Sequence, residues 1–374
     1  MLTVGTAAYM ALTRERRELM REWVVPLHDA IHRPLGPAEQ TDPRRYLHIP
    51  KNFSDDDAVI RIDLPRHLGF SRDVVADLIT QKLALEGVTF DWHPEGSKPY
   101  VRVKKTRKPP AKALFKDPKV RELVAKAPES APIIGLGSGN RIVSVDLDAE
   151  SPHVLVCTAS GGGSTTVLRS LTAQFLHQGA HALVLDHRRI AHLWAKSLPT
   201  VTHRGNTAGI HDALVGLADE LRRRNDLAAD QLAAVPRLIV AMDSANGTMR
   251  RLARYWETFR QKDDPKTSPA ITALEEALWA GRAARVHVIL DGTPQTSALG
   301  AAAHELFATV ILARCTADTW QRLAPIAGPA PNQRRSPQGC VHVVQQGDAH
   351  ETQAIWMTDA DIVNWLTDPE DHES

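Results

Sequence analysis

The sequence predicts an α/β fold in which a mainly parallel sheet is covered by helices on both faces and a small α/β module precedes it. Two observations carry the sheet. After residue 130, short apolar runs of strand length alternate with helical stretches, the pattern of strand–helix–strand units. Those runs are apolar at nearly every position, as strands buried on both faces require. A third observation separates the module: the basic stretch Lys104-Lys105-Thr106-Arg107-Lys108-Pro109-Pro110 reads as a linker.

Taken in order, residues 13–34 are expected to be helical, with Trp23, Val24, Leu27 and Ile31 on one face. Residues 1–35 are thus an N-terminal helix. The module 36–110 has expected strands at 46–49, 58–64, 88–92 and 100–103. Its helix, 71–85, has Val74, Val75, Leu78, Ile79 and Leu83 as the apolar stripe. The core is expected over 111–358, opening with a short helix at 118–125 and a hairpin of 133–136 with 141–147. Strands at 153–157, 182–186, 238–243, 286–290 and 310–313 make the buried sheet, and 339–344 adds a terminal one. Residues 359–374 are a closing helix and an acidic tail.

The chain has 374 residues, 45 Lys and Arg against 44 Asp and Glu, and a formal charge of +1. That balance excludes a global attraction to nucleic acid, so any DNA contact must come from a local basic surface. Cys157, Cys315 and Cys340 are too far apart for a metal cluster and read as reduced thiols. No stretch reaches the roughly 18–20 apolar residues of a membrane helix, so no integral span is expected. The N-terminal stretch lacks a positive leader and an A-x-A site and reads as a helix start, with the stub of a membrane anchor as the other reading. The expected location is cytoplasmic, with any membrane association made through partners.

The most informative stretch is His153 to Arg169: an apolar strand, the turn Ser160-Gly161-Gly162-Gly163, and a helix opening with Ser164 and Thr165. In such a layout backbone N–H groups and the helix N-terminus face an anion. Against the pattern G-x-x-x-x-G-K-[ST], Cys157 falls at the first glycine, Gly162 at the second, Gly163 at the lysine and Ser164 at the magnesium ligand. The missing lysine is the side chain that reaches the β- and γ-phosphates. Two readings stay open here: a weakened phosphate nest, and a tight turn that binds nothing.

From about residue 130 to 345 the chain resembles FtsK/SpoIIIE-type DNA translocases, above all their actinobacterial TraB-like conjugation, phage and mobile-element branch. The resemblance rests on Ser151-Pro152-His153-Val154-Leu155-Val156, on Leu183-Val184-Leu185-Asp186-His187-Arg188-Arg189-Ile190, on Asn246-Gly247-Thr248-Met249-Arg250-Arg251-Leu252, and on Gly281-Arg282-Ala283-Ala284-Arg285-Val286-His287. It implies a RecA-like P-loop NTPase core and a ring, usually a hexamer, that moves double-stranded DNA. It places the Walker B aspartate at Asp243, and Ser244 where the family has the glutamate that polarises water. A lone serine is no general base at neutral pH. It puts the polar sensor at Thr293, an arginine (Arg188) in place of the lysine after Asp186, and no arginine near His304 or Val310. ATP and Mg²⁺, the latter on Ser164 and Asp243, are the implied cofactors, bound weakly or not at all.

The resulting expectation is a pseudo-ATPase that acts as a DNA-associated or partner-binding ring or scaffold subunit, as a homo-oligomer or joined to an active relative. An active translocase, with Arg188 or Arg169 replacing the lysine, is one alternative; a purely structural assembly protein is the other. Neither a multi-pass membrane region nor a winged-helix module is expected. His187, His192, His203 and His211 do not have zinc-ligand spacing and read as solvated or core-edge residues. The stretch Ser160–Ser164 lacks the Gly-x-Ser-x-Gly of a nucleophile elbow. Basic stretches at 104–108, 222–224, 250–251 and 334–335 read as solvated faces, or as a channel lining if repeated round a ring. Arg282, Arg285 and Arg314 are expected at subunit contacts, and Trp194, Trp256, Trp279 and Trp320 in the core.

Overall fold

In a computed structural model the chain forms two compact units, Met1–Lys108 and Pro109–Ser374. The structure describes residues 17–36, 42–50, 58–65, 69–83, 88–105, 109–159, 161–292, 303–328, 330–331 and 337–368. Ser160, Thr293, Arg334, Arg335 and the tail beyond Asp368 lie outside these residues. Among the described residues no helix is long and apolar enough to cross a membrane.

The first unit is an antiparallel sheet in the order β1-β2-β4-β3, with β1 Leu47–His48, β2 Val59–Asp63, β3 Val88–His93 and β4 Tyr100–Lys105. Alternation puts Ile60, Ile62, Val101 and Val103 on one face, where they meet Leu27, Ile31 and Leu35 of helix Val25–Leu35 and Val75 and Ile79 of helix Arg72–Leu83. Gly36 ends the former in the left-handed region, φ 79°, its N–H donating to the His32 and Arg33 carbonyls. Val74, expected in the apolar stripe, is instead 50% exposed. One row, Val75 and Ile79, suffices to cover the sheet.

The second unit is one large sheet. Its parallel part runs in the order β10-β9-β11-β12-β8-β13, with β8 Val154–Thr158, β9 His181–Leu185, β10 Val201–Arg204, β11 Leu238–Met242, β12 Val286–Asp291 and β13 Thr309–Ala313. An antiparallel extension, β14-β15-β6-β7, continues from β13, with β6 Ile133–Gly137, β7 Ile142–Ser144, β14 Cys340–Gln345 and β15 Asp348–Trp356, and the short β5 Ala113–Leu114 pairs in parallel with the end of β15. Each parallel strand except the edge strand β10 feeds both faces. Val154 and Val156 pack with Leu168, Leu171 and Phe175 of helix Ser164–His177. Leu155 and Cys157 pack on the other face with Leu214, Leu252 and Leu274, from helices Thr207–Asn225, Ala245–Phe259 and Pro269–Ala280. The continuous apolar runs are thereby explained.

Sequence reading missed β15 altogether. Its first half is polar, yet Thr352 and Gln353 are 0% and 5% exposed because β14 and β6 flank them. Trp194 and Trp320 are buried as expected, whereas Trp279, at the end of its helix, is 60% exposed. Arg222 and Arg223 pair with Asp219 and Glu220, and buried Arg224 bonds Glu220 and the Pro236 and Ala284 carbonyls. This basic run is therefore a charge-matched helix end.

Buried Gln174 ties β6 to helix Ser164–His177: its Oε1 accepts from Ile133 N–H at 2.7 Å and its Nε2 donates to Ile133 C=O at 2.9 Å. Gln174→Leu leaves both backbone groups unsatisfied, and a stability loss of about 2–4 kcal/mol is expected by urea denaturation. A loss below about 0.5 kcal/mol would show that this tie is dispensable.

Candidate nucleotide-binding site

The site gathers at the C-terminal ends of the parallel strands, where open α/β sheets bind ligands. Thr158 closes β8, Asp186 follows β9, Asp243 follows β11, Asp291 closes β12 and Arg314 follows β13. After β8 the chain turns through Gly161 and Gly163, at φ 75° and 93°, and enters helix Ser164–His177 with Gly163 as N-cap. A Cβ on Gly162 would fall 2.6 Å from the Thr158 Cβ, so the larger Thr158 is accommodated by the glycine facing it. A Cβ on Gly161 would lie 3.4 Å from an Arg314 guanidinium nitrogen. Arg314, expected at a subunit contact, therefore stands over the loop.

The hydroxyl that meets Asp243 belongs to Thr165, whose Oγ1 donates to Oδ2 at 2.9 Å. Ser164, expected to share a magnesium ion with Asp243, is thus not the hydroxyl bonded to that carboxylate. The motif shifts by one residue, placing Thr158 at the first glycine, Gly163 at the second, Ser164 at the lysine and Thr165 at the metal ligand. Ser164 instead bonds Asp291. The lysine is still missing.

Asp243 is 1% exposed. Burial pushes its carboxyl upward, but the neighbouring His192, the Thr165 hydroxyl and Arg188 outweigh burial and hold it below the ordinary carboxylate value. His192 Nε2 lies 3.3 Å from Oδ2. Among the described residues Oδ1 has no hydrogen-bond partner. A buried carboxylate oxygen without a protein partner, beside a helix-start hydroxyl, fits Mg²⁺, which takes few protein ligands and keeps waters or phosphate oxygens for the rest.

Buried Asp186 organises the loop after β9. Its carboxylate accepts from the N–H groups of Arg188, Arg189, Ala191 and His192 at 2.9–3.2 Å. The loop so held presents His192 to Asp243 and Arg188 to Ser244, with Arg188 Nη2 donating to Ser244 Oγ. Ser244 has φ 52°, an uncommon conformation for a residue with a side chain, and its N–H donates to Asp291 Oδ2 at 3.3 Å. Asp291 is pushed up to about 6, first by burial and then by the charge of Asp243. A cavity of about 650 Å³ opens beside these groups, between Arg188 and the outer face of helix Ala245–Phe259.

The structure thus gathers Gly161, Gly162, Gly163, Ser164, Thr165, Asp243, Ser244 and Arg188. It leaves Arg169 out: that guanidinium pairs with Asp359 at 2.8 Å and donates to Ala191 C=O. Arg285 and Arg237 share Glu129, and Arg282 donates to Asp148 C=O at 3.4 Å. The histidine run forms no metal cluster among the described residues, but His192, read as solvated or core-edge, is buried at the centre of the site. Asp291 was missed too. The available signal was that β11 and β12 both run into an aspartate, after five and three consecutive apolar residues.

Comparison of structures supplies the relatives. The conjugation coupling protein TcpA of pCW3, in monomer form with ATPγS, superposes with a TM-score of 0.57 at 14% identity, over 92% of this chain and 98% of that one. The likeness is one of fold, shared with TcpA and with the cytoplasmic domain of EssC. The cytoplasmic domain of EssC matches at 0.51 and 15% identity, over 81% of this chain and 57% of its own. That of the type VII secretion ATPase EccC of Thermomonospora curvata matches at 0.50 and 16%, over 77% of this chain and 32% of its own. The chain therefore spans much less than the full length of these secretion ATPases. No protein-family model and no curated sequence matches it.

Asp291 generates a pH prediction. A carboxyl raised on folding lets the unfolded chain release its proton first, so stability falls as pH rises from about 4 to about 6. Asp291→Asn removes that penalty. It is expected to stabilise the protein by about 1–3 kcal/mol at pH 7 and little at pH 4 in denaturant melts. Destabilisation at pH 7 would mean that the ionised carboxylate is needed by the fold.

Proposed function

We propose that this chain is an FtsK/SpoIIIE-like P-loop core that holds a nucleoside triphosphate without turning it over. In this reading it serves as a ring or scaffold subunit on double-stranded DNA or on a partner, itself or an active relative. One observation carries the proposal: the pair that would hold Mg²⁺, Thr165 and Asp243, is intact, while the place of the general base is taken by Ser244 under the Arg188 guanidinium. Mg²⁺ bound there would neutralise phosphate charge. The chain's own residues would bind through the Gly161–Gly163 nest and fix Asp243 through Thr165 and His192, and Ser244 puts a hydroxyl where the resemblance places the glutamate that activates water. TcpA, solved with ATPγS, is the relative that supports nucleotide binding.

The rival reading, an active motor with an arginine in the lysine's role, has Arg188 in its favour. Arg188 reaches the strand edge, whereas Arg169 is held by Asp359.

Titration of the purified chain with ATP and Mg²⁺, followed by phosphate release with and without duplex DNA, tests the proposal. Binding without turnover is expected. Ser244→Glu alone should stay inactive, because a glutamate there would pair with Arg188. Ser164→Lys with Ser244→Glu and Arg188→Lys should gain turnover of at least about tenfold over background, as one restored charge-stabilising group commonly contributes. DNA-stimulated turnover by the native chain would overturn the proposal.

A further inference from the structure

We propose that the cavity beside the loop is a second phosphate-binding site, which takes the distal phosphates of a nucleoside triphosphate or an inorganic polyphosphate chain. Only its nucleotide arm rests on the reading above. The argument begins with helix Ala245–Phe259. Its inner stripe, Ala245, Thr248, Met249 and Leu252, is buried. Gly247, Arg250, Arg251 and Arg254 recur at i, i+3, i+4 and i+7 and so share the opposite face. All four line the cavity, as does Arg188 from the loop after β9. The cavity extends to Thr158 and Gly292 at the strand ends, and Thr158 is the last strand residue before the glycine turn.

Elsewhere in this unit clustered arginines meet acids: Arg222 meets Asp219, Arg223 and Arg224 meet Glu220, Arg237 and Arg285 meet Glu129. Among the described residues no carboxylate forms an ion pair with Arg188, Arg250, Arg251 or Arg254. Asp291 lines the cavity, but it receives the Ser244 N–H and the Ser164 hydroxyl. The His187 imidazole between the arginines is held below its ordinary value by burial, then by Arg251 and Arg188; its Nδ1 lies 2.9 Å from Thr248 Oγ1. Like charges gathered in one concavity repel each other, and a polyanion relieves that repulsion. Guanidinium forks match phosphate oxygens two at a time. A volume of about 650 Å³ suits a compact phosphate chain. A duplex backbone, which spreads one charge per about 1.7 Å along its axis, would present few phosphates to it.

The test is calorimetric titration of the full chain with tripolyphosphate, with ATP and with a short DNA duplex. It compares the native protein with the triple variant Arg250→Gln, Arg251→Gln, Arg254→Gln, and separately with Arg188→Gln. The triple variant changes exposed positions, and an unchanged melting temperature verifies its fold; Arg188→Gln tests the same cavity from another element. Loss of tripolyphosphate and ATP affinity by at least about tenfold in both variants is expected. Tripolyphosphate binding without ATP binding would support the arginine site and sink the nucleotide reading. Undiminished ATP and tripolyphosphate binding by the variants would overturn the arginine site and leave the nucleotide reading standing. Binding of neither phosphate compound by the native chain would overturn both. Duplex binding that needs these arginines, with no tripolyphosphate binding, would identify DNA as the ligand and overturn the proposal.

Discussion

The buried carboxylate of Asp243 is the charge around which the strand edge is arranged. Such a group is tolerated in an interior only when it is paired and hydrogen-bonded. Here the Thr165 hydroxyl comes from the start of helix Ser164–His177, and His192 and Arg188 come from the loop after β9. That loop keeps its shape because buried Asp186 accepts four of its backbone N–H groups. One carboxylate thus couples β8, β9 and β11 at their C-terminal ends, and a second, Asp186, holds the partners in place.

Beside it, Asp291 makes the site asymmetric. Two carboxylates near one another in a water-poor setting do not ionise equally. His192 and Thr165 act on Asp243, and burial with the Asp243 charge lifts Asp291. The outer wall has the opposite character, with arginines from helix Ala245–Phe259 and the β9 loop around one cavity. The strand ends thus set a floor of buried acid against a rim of guanidinium groups.

Much of this architecture was legible in the sequence. The five core strands at 153–157, 182–186, 238–243, 286–290 and 310–313 match β8, β9, β11, β12 and β13 to within a residue or two, because strands buried on both faces are apolar throughout. The glycine turn was legible from three glycines between an apolar strand and a helix, whereas Asp243, Ser244 and Arg188 were expected only through the family resemblance. β15 was not, since its polar half is buried only by its neighbours. Neither was the register of the loop, where three consecutive glycines and three hydroxyl residues leave the pattern sliding by one.

By itself the sequence determined the fold class and the order of the strands' apolar runs, since these are matters of residue type and local pattern. Only the tertiary structure decided that Thr165 rather than Ser164 meets Asp243, that His192 and Asp291 belong to the site, and that Arg188 shares a cavity with Arg250, Arg251 and Arg254. Those relations join residues far apart in the chain. Sheet order and helix packing bring them together, and no local spacing encodes that distance.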